Sequence, residues 1–137
     1  MLGKDATKLN LNLPSPFEVL ADERLESSGV KLYLKREDLI HPGIPGNKWR
    51  KLKYNLATAQ KDGYQTLLTF GGAYSNHIRA TAVAGAYFGF STIGVIRGEE
   101  RTLLNESLTH VAGQGMRLVS MLYGSSNLSL QRRPKRN

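Results

Sequence analysis

The chain contains no cysteine, which excludes disulfides, thiolate metal sites and cysteine nucleophiles. It also has no apolar run near the roughly 20 residues that a membrane-spanning helix requires, because Lys, Arg, Asp or Gly interrupts each candidate. The first 13 residues lack a signal-peptide pattern, and the acidic residues form no cluster with the His spacing of a metal site. These absences predict a cytoplasmic protein with no bound metal.

The positive charge is concentrated at one end of the sequence. The formal net charge is +8, and Arg132, Arg133, Lys135 and Arg136 supply half of it. Such a cluster either binds nucleic acid through its phosphates or is a solvated tail without a selected role. The rest of the chain has an ordinary charge balance for a metabolic enzyme. With 40% hydrophobic residues overall, the chain has enough apolar content for one compact domain.

Apolar periodicity predicts strands and helices in alternation. After Val119 the sequence has no clear period, and we expect no regular element there. The order of elements is typical of a three-layer α/β unit with a parallel sheet and functional loops at the carboxyl ends of its strands. The predicted elements are a strand over 30–38, a helix over about 48–60 capped by Asn47, a strand over 66–70, a helix from Ser75 to about Phe88, a strand over 91–96, a helix over 105–112 and a strand over 116–119.

Two loops contain candidate reactive side chains. The first, Gly46 to Lys51, reads GNKWRK. Lys48 and Lys51 are three residues apart and so share a helix face, where each raises the cost of charging the other. A neutral lysine amine can attack an aldehyde to form a Schiff base. The same pair is also compatible with an ordinary solvated helix face.

The second loop, Gly71 to His77, reads GGAYSNH. Its glycines let the backbone approach a ligand, and the amides that open the following helix can bind a carboxylate or a phosphate. The alternative is an ordinary strand-turn-helix junction in which Ser75 is only the N-cap. His77 is either an acid or base near neutral pH or a capping or packing residue.

Three segments in register carry a resemblance to a known family. LYLKREDL, PGNKWRKLKYNL and GGAYSNHIRATAVAG resemble the 1-aminocyclopropane-1-carboxylate (ACC) deaminase and D-cysteine desulfhydrase family, a branch of the tryptophan synthase β-like (fold type II) enzymes that use pyridoxal 5'-phosphate (PLP). The resemblance runs from about Pro14 to Leu118 and is most specific over Lys35 to Gly85. It implies the small domain of such an enzyme together with an N-terminal arm.

The resemblance implies a role for each residue of the two loops. Lys48 would bind PLP covalently as a catalytic residue, with Lys51 as a second catalytic lysine beside it. Asn47 would pack beside the cofactor, and Asn76 would hydrogen-bond its phenolic oxygen. Ser75 would contact the substrate or assist proton transfer, and Asn76 and His77 would complete the substrate side of the site.

The reactions implied are those of a lyase or hydrolase acting on a small amino acid. ACC would be opened to 2-oxobutanoate and ammonia, or D-cysteine converted to pyruvate, hydrogen sulfide and ammonia. Ala73, Tyr74 and His77 differ from the Ile-Gln and Gln that are typical of the ACC deaminases. The choice between the two substrates therefore stays open.

Members of this family are more than twice as long and form homodimers, so the resemblance implies a truncated chain. We expect residues 1–45 to be the arm and one strand of an incomplete large domain, 46–119 the small domain and 120–137 an irregular basic tail, such as a frameshift would produce. A glycine-rich loop for the PLP phosphate is not found after Val119. The chain by itself is then expected to be inactive.

The sequence is also compatible with two other functions. A non-catalytic module could use the loop from Gly72 to His77 to bind a small anion. A basic protein could instead bind nucleic acid through its tail, with an affinity that falls steeply with salt. The non-catalytic module predicts ligand binding that does not need Lys48. A PLP protein, in contrast, needs Lys48 to bind its cofactor.

Overall fold

The computed structural model of the protein describes residues 9–44, 46–98 and 103–121, together with the backbone of residues 128–130. None of the helices in these ranges is long and apolar enough to cross a membrane. The elements, in chain order, are β1 (Phe17–Leu20), α1 (Glu23–Ser27), β2 (Leu32–Lys35), a 3-10 turn (Glu37–Leu39), α2 (Lys48–Lys61), β3 (Thr66–Gly71), α3 (Asn76–Phe88), β4 (Ser91–Arg97), α4 (Glu106–Gly113), β5 (Arg117–Met121) and β6 (Leu128–Leu130).

A parallel sheet of β3, β4 and β5 forms the centre of the fold. Thr66 lies opposite Ser91 across the first pair of strands, and Ile93 lies opposite Arg117 across the second. Helix α3 connects β3 to β4, and α4 connects β4 to β5. The predicted α/β class is therefore confirmed, and the carboxyl ends of the three strands lie along one edge of the sheet.

A fourth strand, β6, corrects the expectation of no regular element after Val119. It runs antiparallel to β5, with Val119 opposite Leu130. Three residues are too few for alternation to stand out in the sequence, whereas the edge of β5 offers unpaired backbone groups that a passing segment can pair with. Residues 122–127 and 131–137, which include the basic cluster, lie outside the described residues.

Strands β1 and β2 form a separate antiparallel sheet that was only half predicted. Phe17 lies opposite Lys35, and Leu20 lies opposite Leu32. The strand predicted over 30–38 is shorter, because the 3-10 turn begins at Glu37. Strand β1 and α1 were missed, since four- and five-residue elements give too little periodicity to detect. Every residue of both strands is exposed.

Helix α3 belongs to both hydrophobic cores. It packs against β3, β4, α2 and α4. The first core joins α3 to α2 and to the chain before α2, and the second joins α3 to α4, β4 and β5. The first consists of Leu9, Ile40, Ile44, Trp49, Leu52, Leu56, Ala59, Ala80, Ala84, Phe88 and Phe90, and the second of Ile78, Ala82, Ile96, Leu108, Val111, Met116 and Leu118.

The approach of α3 to the sheet requires a glycine. A Cβ atom on Gly85 would lie 2.1 Å from Cγ2 of Thr92 on β4, far inside van der Waals contact. The small residues of α3 therefore let its backbone lie directly on the strand. This close packing fixes the position of the helix and of the loop that precedes it.

A polar network attaches the first turn of α2 to the segment before it. The guanidinium of Arg50 binds both carboxylate oxygens of Glu37, one of them at 2.8 Å, and the hydroxyl of buried Ser15 donates to Glu37 at 2.7 Å. Lys35 Nζ donates to the Ser15 carbonyl at 2.7 Å. The hydrogen bonds from Arg50 and then from Ser15 stabilise the carboxylate and lower the pKa of Glu37 to about 2.

Replacing Ile44 by alanine tests whether the segment before α2 is part of the core. Ile44 is fully buried, so Ile44→Ala should lower the free energy of unfolding by about 2–5 kcal/mol through lost burial and a cavity. Leu103, which is 87% exposed, gives the matched control, and Leu103→Ala should cost less than about 0.5 kcal/mol. Urea unfolding measures both. If both substitutions lowered the free energy of unfolding by the same small amount, the packing of this segment against the core would be contradicted.

Replacing Arg50 by glutamine tests the network through its pH dependence. Because the pKa of Glu37 falls from 4.5 unfolded to about 2 folded, the pair adds stability that is present above pH 4.5 and lost as the pH falls towards 2. The stability difference between wild type and Arg50→Gln should shrink over that window, and the pKa of Glu37 should rise in the variant. Urea unfolding at several pH values and carboxyl NMR measure these changes.

The control for this experiment is Arg24→Gln, which removes a guanidinium paired with Asp22 in α1 and not with Glu37. It should leave the pKa of Glu37 unchanged. A Glu37 that titrates near 4.5 in the wild type would contradict the network.

Candidate functional site

Lys48 is the first residue of α2, as the sequence predicts. Its side chain is half-buried, and Nζ donates to Oδ1 of Asn47 at 3.0 Å. Asn47 occupies the N-cap position, but its side chain makes no capping bond, which corrects the prediction of a capping asparagine. The reason is that its oxygen binds the Lys48 amine and its backbone, with φ −74° and ψ 7°, is not extended.

The second loop follows the end of β3 and places Ser75 at the start of α3. Ser75 Oγ accepts hydrogen bonds from the amides of His77 at 3.2 Å and Ile78 at 3.4 Å. A turn closed by Ser75 N to Gly72 O, at 3.0 Å, brings the chain into the helix. Ser75 is therefore the N-cap, as the simpler interpretation of the sequence predicts. Among the described residues its hydroxyl donates to no other group, so the proton is available to a ligand.

Gly71 allows this turn to be so tight. A Cβ atom there would lie 2.7 Å from Cγ1 of Ile78 and 2.9 Å from Oγ of Ser75. No side chain fits in that space without moving the helix start. The glycine thus brings the backbone at the end of β3 directly against the Ser75 hydroxyl.

His77 connects the two loops electrostatically. Its imidazole is half-buried, and its pKa is lowered first by burial and then by the positive charges of Lys48 and Lys51. Helix α2 packs against α3, and Trp49 at its start stacks on Phe88 at the far end of α3, with ring centroids 6.4 Å apart. Lys51 is exposed on α2, one helical turn beyond Lys48.

The remaining predicted residues lie around this junction. Asn47 and Asn76 are exposed, the first bound to the Lys48 amine and the second opening α3. Within the described residues no hydrogen bond joins Lys48 to Ser75 or to Asn76. Lys48 and Lys51 thus lie on α2, whereas Ser75, Asn76 and His77 lie at the start of α3.

A second group of side chains was missed in the sequence. Tyr74, Arg79, Glu106, Ser107 and His110 line a cavity of about 230 Å³ between the start of α3 and the start of α4. Both helices were predicted, but nothing in their spacing shows that their ends face each other. The signal that could have been used is Asn105, a good N-cap residue next to an acidic first turn.

Removing the charge of Lys51 tests its electrostatic effect on His77. In Lys51→Gln the pKa of His77 should rise towards its ordinary value, because one of the positive charges that disfavour the imidazolium is gone. NMR titration of the imidazole measures this. Lys53→Gln is the control, since Lys53 lies on the same helix over the ring of Tyr54. Identical His77 titrations in both variants would contradict the arrangement.

Comparison with known proteins gives several similar sequences. No protein-family model matches the chain. A protein of Pyrococcus abyssi, provisionally named 1-aminocyclopropane-1-carboxylate deaminase, is 44% identical over 72 residues, which is 53% of this chain and 22% of that protein. A D-cysteine desulfhydrase of Salmonella paratyphi A is 34% identical over 116 residues, or 84% of this chain and 34% of the enzyme. The chain thus spans between about a fifth and a third of the length of these curated relatives.

Solved structures show the same relationship. The crystal structure of an ACC deaminase homologue superposes with a TM-score of 0.69 at 30% identity, covering 86% of this chain and 35% of that one. A hydrogen sulfide-producing enzyme from Fusobacterium nucleatum shares the fold, with a TM-score of 0.62 at 19% identity over 90% of this chain and 39% of that one. The chain is therefore a relative of the ACC deaminases and D-cysteine desulfhydrases, homologous to about one third of such a protein.

Proposed function

We propose that the junction of α2 and α3 binds PLP through Lys48 and takes a small amino acid, ACC or D-cysteine, as its substrate. The observation that carries this proposal is the packing of α2 against α3, since α2 begins at Lys48 and α3 begins directly after Ser75. The lowered pKa of His77, to which the charges of Lys48 and Lys51 contribute, agrees with it. The family resemblance assigns the cofactor to the same lysine. The two lines of argument are independent, since one rests on geometry and the other on sequence.

The side chains present suit this cofactor. A covalent bond to PLP needs a lysine amine that is held in place without being locked into an ion pair. Lys48 Nζ contacts an amide oxygen, and within the described residues it forms no ion pair with a carboxylate. PLP, when bound, supplies an electron-accepting ring for cleavage of bonds to the substrate α-carbon.

The residues of this chain would then orient the substrate and move protons. Asn47 holds the Lys48 amine at the start of α2. The Ser75 hydroxyl, which already accepts two amide hydrogen bonds, can donate its proton to a substrate carboxylate. A neutral imidazole at His77 can accept a proton from the substrate, because its lowered pKa favours the unprotonated form near neutral pH.

We further propose that this chain supplies one part of the site and turns over little substrate by itself. Its similarity covers between 22% and 34% of the curated relatives. In whole relatives, other groups hold the phosphate and the ring nitrogen of the cofactor. Those groups would come from the part of the relatives that this chain does not match. Binding of the cofactor is therefore the first property to test, before any reaction.

Covalent labelling tests the role of Lys48. The chain is incubated with PLP, reduced with borohydride and mapped by peptide mass spectrometry. We expect about one label per chain, at Lys48, because its amine is held at the site by Asn47. Lys48→Ala should lose this label, and Lys53→Ala, a change on the same helix, should keep it.

The outcomes separate the candidate functions. Label spread over surface lysines, or equal labelling of Lys48→Ala, would reject the proposal. Saturable binding of ACC or D-cysteine that persists in Lys48→Ala without any label would instead favour the non-catalytic binding module.

A further inference from the structure

The cavity between α3 and α4 is separate from the lysine junction. Its walls are Tyr74, Arg79, Glu106, Ser107 and His110, and its volume is about 230 Å³. This is below the roughly 300–1,000 Å³ of pockets that hold drug-sized molecules, so the space suits a small ligand. None of the residues proposed to bind PLP or its substrate lines it, namely Asn47, Lys48, Lys51, Ser75, Asn76 and His77.

The side chain of Arg79 makes no hydrogen bond to the described residues. Its Nε atom is completely buried and has no hydrogen-bond partner among the described residues. Buried N–H groups are nearly always paired, because an unpaired donor forfeits its bonds to water. A guanidinium presents its donors in a planar fork that matches a carboxylate. A carboxylate in the cavity is therefore a partner that fits the guanidinium of Arg79.

Glu106 places the opposite charge on the same cavity. It lies in the first turn of α4, and within the described part of the chain neither Glu106 nor Arg79 forms an ion pair. Two opposite charges that line one space without meeting are complementary to a ligand that carries both. A free amino acid has that distribution, with a carboxylate next to an ammonium group.

The other walls supply neutral polar contacts and access. Ser107 contributes a hydroxyl, His110 an imidazole and Tyr74 a phenol. Tyr74 is 75% exposed, so this side of the cavity is open to solvent and a ligand can enter there. The polar groups converge on a space too small for a peptide or a nucleotide.

Asn105 joins the two walls of the cavity. Its Oδ1 accepts the amide of Leu108 at 2.8 Å and so caps α4, and its Nδ2 donates to the carbonyl of Ala73 at 3.3 Å. One side chain thus fixes the start of α4 to the loop that precedes α3. The cavity is preformed by this link, which lowers the ordering cost of binding.

From these observations we propose that the cavity binds a small zwitterionic amino acid, with its carboxylate on Arg79 and its ammonium group on Glu106. This site goes beyond the proposed PLP function and does not depend on it.

Binding is tested on the 137-residue chain without PLP, with D-alanine as the zwitterion, propionate as the carboxylate alone and isopropylamine as the ammonium alone. Amide NMR shifts of Tyr74, Ser107 and His110 report the cavity. D-alanine should give saturable shifts at these residues, with a lower Kd than that of propionate or isopropylamine. Arg79→Gln and Glu106→Gln should each raise the Kd for D-alanine by about tenfold or more, as loss of a charged hydrogen bond does.

The controls separate a loss of contact from a loss of fold. Arg97→Gln, which removes an exposed guanidinium at the end of β4, should leave the Kd unchanged. Glu106→Gln should not weaken the binding of propionate. A circular dichroism spectrum identical to that of the wild type would show that α4 is retained in this variant. Because no PLP is present, labelling at Lys48 and amino-acid binding here succeed or fail separately.

Three results would overturn the proposal. The first is an absence of saturable shifts with D-alanine. The second is propionate binding as tightly as D-alanine with no effect of Glu106→Gln, which would describe a simple anion site. The third is a set of shifts confined to Ser75 and His77, which would place the ligand at the lysine junction.

Discussion

The close contact of α3 with β4 is the constraint on which the rest of the structure depends. Gly85 lets the helix backbone lie against Thr92, and from that position the helix contributes side chains to both hydrophobic cores. The same helix begins at Ser75, so its packing determines where the hydroxyl, His77 and the wall formed by Arg79 lie. The position of the start of α3 is thus held by apolar contacts that the helix makes with both cores.

The sequence predicted the larger elements and missed the small ones. Helices α2 and α3 and the parallel strands follow from apolar periods long enough to detect, and their bounds agree within a few residues. Strands β1 and β6 were missed because they have only four and three residues and depend on pairing with a partner strand. Pairing of this kind is a property of the tertiary structure, which local patterns do not contain.

The sequence named candidate residues but not their geometry. The motifs pointed to Lys48 and Ser75, and the roles that the family resemblance implies for them stay predictions. Asn47 binds the Lys48 amine and not the helix amides. This choice depends on the backbone angles of one turn, which the sequence does not determine. The cavity at Arg79 was missed for a related reason, since its walls come from two helices that meet only in the folded chain.

The β1–β2 sheet has a further consequence for the dynamics of the chain. Each of its residues is exposed, including Phe17 at 66% and Tyr33 at 55%, and it buries no face against a core formed by the described residues. A two-stranded sheet in that condition is only marginally stable, whereas the α3 region is held by two cores. Opening of β1 and β2 therefore requires far less free energy than global unfolding, so the chain contains two cooperative units whose amide hydrogens exchange on separate timescales.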